Sequence, residues 1–104
     1  MHDDEYWMHI PTAFTPDGDR INDKLCISYN GIREATFNFN VYDRFSNLVY
    51  STNNIHDLDS DNGWDGTDQS TLVDLPMGVY IYQIYYQDFE GWKHQETAYI
   101  LISR

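Results

Sequence analysis

The sequence predicts an all-β fold, an antiparallel β-sandwich of six or seven short strands. Three observations point to it. Hydrophobicity alternates with a period of two in the most regular stretches, and no window sustains an apolar period of 3.6. Turn chemistry recurs between those stretches, at Pro16-Asp17-Gly18, Asn30-Gly31, Ser46-Asn47, Asn62-Gly63 and Glu90-Gly91. Finally, nine Tyr, five Phe and three Trp among 104 residues are the large side chains that a pleated, half-buried surface favours.

Residues 6–10 and 25–29 are short strand candidates at the start of the chain. Residues 36–42 alternate cleanly, with Phe37, Phe39 and Val41 on one face and Asn38 and Asn40 on the other. Residues 48–51 follow across a turn. The stretch 52–77 is the least regular, holds many of the acidic residues, and is long for a loop in a compact domain, which marks it as functional or mobile. Residues 79–87 place Tyr80, Tyr82, Ile84 and Tyr86 on one face; the other begins with Val79 and Ile81 and turns polar at Gln83. Residues 97–102 are apolar on both faces, the pattern of a central strand.

Length sets one domain, residues 1–104, with residues 1–5 expected to be flexible or vector-derived. Six Lys plus Arg stand against seventeen Asp plus Glu, a net charge of -11. Phosphate neutralisation needs clustered cations, so nucleic acid is excluded as a partner, as is docking on an anionic membrane surface. No run is long and apolar enough to insert in a bilayer. Cys26 is the only cysteine and is read as a small apolar strand residue. The N-terminus lacks the pattern of a secretory signal.

Three segments are more specific than composition. They are Ile10-Pro11-Thr12-Ala13-Phe14-Thr15-Pro16-Asp17-Gly18-Asp19-Arg20-Ile21-Asn22-Asp23; Val41-Tyr42-Asp43-Arg44-Phe45-Ser46-Asn47-Leu48-Val49-Tyr50; and Gly63-Trp64-Asp65-Gly66-Thr67 with Pro76-Met77-Gly78-Val79-Tyr80. In this order, the chain resembles the gliding motility-associated C-terminal domain, the type B sorting domain of the Bacteroidetes type IX secretion system. The resemblance runs from about Ile10 to Arg104. It departs at Thr12 and Asp17, where the family has Asn, at Arg20, where it has Gly, and at Phe45-Ser46, where it has Trp-Gly. Phe45 keeps aromatic character, so packing there is expected to hold; Arg20 and Ser46 carry a side chain where a glycine would take φ > 0 freely.

The resemblance implies an immunoglobulin-like sandwich and a role without chemistry. The domain would be the address at the end of a much longer secreted or cell-surface protein. Its partners would be the type IX translocon and a PorP/SprF-like outer-membrane protein. Contact is expected through the Phe89 and Trp92 hairpin and the final strand, from Tyr99 to Arg104.

Two acidic loops are candidate cation sites. Asp17, Asp19, Asn22 and Asp23 offer hard oxygens around Gly18, suited to Ca²⁺, which takes about six to eight oxygens. An Asx-rich turn is the alternative, with those side chains accepting backbone N–H bonds. Asp57, Asp59, Asp61, Asp65 and Asp68 stand at the odd and closing positions of an EF-hand-like loop, a weaker Ca²⁺ candidate without the glycine or flanking helices. Asp65 also belongs to Gly63-Trp64-Asp65-Gly66, where its expected work is to fix the turn, with Trp64 buried as the anchor.

Catalysis finds little footing. His2, His9, His56 and His94 lack zinc spacing, and there is no phosphate loop or nucleophile elbow. The rival to a sorting module is a Ca²⁺-dependent adhesin or carbohydrate-binding module, for which Trp64 and Trp92, beside carboxylates and Asn, would be the platform, Trp92 being the one expected to be exposed.

Overall fold

The computed structural model describes residues 7–16, 24–59 and 62–103. Seven strands form in chain order: β1 (Trp7–His9), β2 (Ala13–Phe14), β3 (Ser28–Asn30), β4 (Ile32–Tyr42), β5 (Leu48–Thr52), β6 (Gly78–Asp88) and β7 (Lys93–Ile102). A 3₁₀ turn, Ile55–Leu58, follows β5. The architecture is all-β and sandwich-like. One sheet has the order β2-β7-β6-β4-β5; the other pairs β1 with β3.

Alternation fixes which face is buried. Phe37, Phe39 and Val41 of β4 are buried, as are Tyr80, Tyr82, Ile84 and Tyr86 of β6 and Ile100 and Ile102 of β7. The register keeps these sets in phase, with Phe39 opposite Ile84, Val41 opposite Tyr82, and Tyr80 opposite Ile100. A one-residue slip would turn every one of them to solvent, at about 1.5–3 kcal/mol for each large apolar side chain exposed.

Much of the second layer is loop rather than strand. Leu25, Ile27, Ile55, Leu58 and Trp64 are buried in the same core. Their backbones are tied by Leu25 N–H to Trp64 C=O at 2.8 Å, Trp64 N–H to Leu25 C=O at 3.1 Å, and Ile27 N–H to Leu58 C=O at 2.8 Å. Gly63 makes this approach feasible. It sits at φ 123°, and a Cβ there would lie 2.8 Å from Cys26 Sγ and 2.9 Å from Lys24 Cβ. The acidic stretch is thereby drawn against the core rather than left as a free loop.

The structure corrects the sequence reading at several places. β7 is not covered on both faces: Tyr99 and Leu101 are exposed while Ile100 and Ile102 are buried. It lies next to the sheet edge, beside β2, and that pair is parallel, so the sheet is not wholly antiparallel. Cys26 lies outside β3, half-buried, with its Sγ donating to Asn62 C=O at 3.2 Å. Phe45 is not packed in the core but 70% exposed.

Candidate functional site

At one end of the large sheet, two of the sequence motifs meet. The β4–β5 turn is organised by Asp43, whose Oδ1 accepts from the backbone N–H of Phe45 at 2.8 Å and Asn47 at 2.9 Å. Its Oδ2 accepts from Asn47 Nδ2 at 3.1 Å. These bonds, the Asn47 backbone N–H foremost, hold the Asp43 carboxyl below the usual range. Ser46 completes the turn at φ 68°. Opposite, Tyr80 Oη donates to Pro76 C=O at 2.7 Å, which folds the segment before β6 back on itself.

Between the two segments lies a cavity of about 290 Å³, lined by residues 43–45 and 75–80. Its rim is open to solvent and mixed, with Asp43 and Arg44 beside apolar side chains. Phe45, Met77 and Val79 are exposed, and the Arg44 guanidinium stands 4.9 Å over the Phe45 ring. The register carries this surface across the outer face of the sheet. Val79 pairs with Leu101, Ile81 with both Tyr99 and Tyr42, and Tyr42 with Leu48. Farther along the same face the residues become Gln83, Asn40, Thr97 and Ser51, so the apolar band is confined to one end.

The contact residues expected from sequence are thus not one patch. Trp92 and Phe89 are exposed on the β6–β7 hairpin, while Tyr99 belongs to the apolar band. Seven residues of extended chain separate Trp92 from Tyr99, roughly 20 Å. Arg104 lies outside the described residues. The hairpin has its own organiser, Asp88, which is 7% exposed. Its Oδ1 accepts from Glu90 N–H at 2.9 Å and Trp92 N–H at 3.1 Å, and its Oδ2 lies 3.0 Å from His94 Nε2. The His94 hydrogen bond and then the two backbone donors push the Asp88 carboxyl down.

Of the cation candidates, Asp17, Asp19, Asn22, Asp23 and Asp61 lie outside the described residues. The other four carboxylates of the second loop each serve a separate partner. Asp57 accepts from Thr52 Oγ1 at 2.6 Å, and Asp59 faces His56 Nδ1 at 2.8 Å and Tyr29 Oη at 3.4 Å. Asp65 accepts from the Thr67 hydroxyl at 2.7 Å, and Asp68 from the Ser70 hydroxyl at 2.7 Å. Among the described residues, no three His, Cys, Asp or Glu side chains converge as a metal site would require. Trp64 is buried beside Asp65, its ring 5.3 Å from Tyr50 and 5.6 Å from Phe14, with Nε1 donating to Thr67 C=O at 3.0 Å.

Sequence reasoning missed the pole formed by Phe45, Met77 and Val79. Its signal was present, since both segments belong to the quoted motifs, but nothing local says that turns so far apart in the chain share one rim.

The sheet, with its apolar band and turn-borne aromatics, defines a β-sandwich domain. The chain belongs to the CHU_C type IX secretion signal domain family, which it matches over residues 8–102. No curated protein matches it. A secretion signal of this family is a sorting element: it engages the type IX machinery, and the protein carrying it is exported to the cell surface or medium.

Proposed function

We propose that this domain is a non-enzymatic address, read by contact, that takes a larger passenger across the outer membrane by the type IX route with a PorP/SprF-like outer-membrane protein as its partner. The contact surface is the apolar pole. The supporting observation is convergence: the 43–45 and 75–80 segments line one cavity and leave Phe45, Met77 and Val79 in solvent. Exposed apolar groups grouped on an otherwise acidic surface are the usual mark of a docking site.

The test appends residues 1–104 to a signal peptide and a fluorescent reporter in a type IX-competent host that supplies the cognate partner. Export of the reporter is expected, and a Phe45→Ser, Met77→Ser double variant is expected to remain folded yet stay periplasmic. Periplasmic retention of the parent fusion, with the domain folded, overturns the reading.

A further inference from the structure

The two edges of the large sheet are treated differently. At β5, Gln69 acts in place of a neighbouring strand, bonding both backbone groups of Ser51 and donating its own N–H to Val49 C=O. At the other edge, among the described residues, β2 pairs with Leu101 and Ile102 of β7 and leaves the rest of that strand without a neighbouring strand. The remaining edge runs over residues 93–100. Its register with β6 is unbroken from Ile102 to Lys93, with no bulge and no proline.

The direction of its hydrogen bonds follows from one contact. Leu101 N–H points away from β6, donating to Thr12 C=O at 2.8 Å. In an antiparallel ladder the residues facing outward alternate, so the N–H and C=O groups of Gln95, Thr97 and Tyr99 also point to the open side. Among the described residues, no strand pairs with them there. Lys93 guards the hairpin end of this edge; past it there is no lysine or proline, and edges left open over such a length are rare in native sheets because they template pairing with other chains.

We infer that the open edge of β7 captures an extended, cationic segment of another polypeptide as an added strand, running over Gln95, Thr97 and Tyr99. Backbone donors and acceptors in a row recognise extended peptide and no small solute. Charge selects the source. A second copy of this chain would bring another net charge of -11, whereas a basic segment is drawn by the field of the whole chain and meets the exposed Glu96 at the middle of the edge, clear of Lys93 at its hairpin end. Tyr99 and Ala98 offer apolar contact on the two faces of the added strand. This deepens the sorting proposal, on whose reading the segment belongs to the export machinery.

Strand capture is measured on the isolated chain, apart from export. Isotope-labelled residues 1–104 are titrated with a capped peptide of alternating Lys and Val, and amide exchange is followed by NMR. The amides of Gln95, Thr97 and Tyr99 are expected to slow about tenfold, as newly bonded edge groups do, and the matching Glu–Val peptide is expected to leave them unchanged. Thr97→Pro removes an outward donor without touching the β6 ladder and is expected to abolish the response; Thr97→Lys, which guards the edge while keeping the backbone, is expected to weaken it. Protection that persists in both variants, an equal response to the Glu–Val peptide, or the same amides slowing through self-association without peptide overturns the inference. Capture without reporter export would overturn the sorting reading alone, and export without capture this one alone.

Discussion

Gln69 holds Ser51 by both of its backbone groups, with Oε1 accepting from Ser51 N–H at 3.1 Å and Nε2 donating to Ser51 C=O at 2.9 Å. With Gln69 N–H donating to Val49 C=O at 2.9 Å, the side-chain amide extends this cover of the β5 edge by one more outward-facing residue. Gln69→Ala removes both bonds and is expected to cost about 1 kcal/mol, the usual net for exposed hydrogen bonds. Gln69→Glu keeps an acceptor for Ser51 N–H but sets a carboxylate against Ser51 C=O, and should not rescue. Urea denaturation gives the stability, and exchange at the Ser51 amide shows where it is lost. An Ala variant with unchanged Ser51 exchange would refute the role.

Ser46 stands at φ 68°, in the left-handed region where a Cβ is disfavoured. The turn is otherwise satisfied, with Ser46 N–H donating to Asp43 C=O at 3.0 Å, so the geometry is imposed by Asp43 and Asn47. Ser46→Gly relieves the strain and is expected to stabilise by about 0.5–1 kcal/mol, after allowing for the greater freedom of glycine when unfolded. For a domain of this size that is a rise of about 2–6 °C in Tm. A calorimetric Tm that falls would show that the serine hydroxyl contributes more than the backbone strain costs.

The same residue shows what was legible in the sequence. A serine where the resembled family has glycine already pointed to a strained turn, because the need for φ > 0 is local. The buried faces of β4 and β6 were equally readable, since alternation through Phe37, Phe39 and Val41 reports which side is inside. It does not report whether the other side is covered, and so β7 was read as central although Tyr99 and Leu101 face solvent. β2 has two residues and a parallel partner far along the chain, which leaves no local periodicity to find. Ile55 and Leu58 have helical spacing, but one 3₁₀ turn is too short for a pattern to register.

Asp68 separates the turn and cation readings of the acidic loop. Its Oδ1 accepts from Ser70 N–H at 2.9 Å, Ser70 Oγ at 2.7 Å and Thr71 N–H at 3.3 Å. The Ser70 hydroxyl, followed by the Ser70 N–H, holds the carboxyl below its ordinary value. An amide oxygen can accept the same bonds, so Asp68→Asn is expected to be less destabilising than Asp68→Ala, which leaves the three donors without a partner. Ca²⁺ bound here would change the order, because Asn keeps the acceptor and loses the charge that a hard cation needs. Melts of parent and Asp68→Asn, each with millimolar Ca²⁺ and with EDTA, should show the same metal dependence; a Ca²⁺-induced rise confined to the parent would place an ion in this loop.

His56 ties the 3₁₀ turn to β4. Its Nδ1 lies 2.8 Å from Asp59 Oδ2 and its Nε2 lies 2.8 Å from Glu34 Oε1. Two carboxylates can both be satisfied only when both ring nitrogens carry hydrogen, which is the imidazolium. The hydrogen bond to Asp59, then that to Glu34, accordingly raises the His56 pKa above the ordinary histidine value. A folded pKa above the unfolded one means the folded state binds the proton more tightly. The contribution of His56 is therefore complete below the ordinary histidine pKa of about 6.5 and is lost as pH rises through the higher folded pKa. Relative to His56→Gln, the parent should be more stable at about pH 5.5 and lose that advantage by about pH 8.5, on either side of an ordinary histidine pKa. The ion pair is exposed, so the difference should also shrink in about 1 M salt, where the screening length is near 3 Å. Urea midpoints for the two proteins across this range decide it: an advantage that grows with pH would mean that the ring works as a neutral packing group and not as a charged clamp.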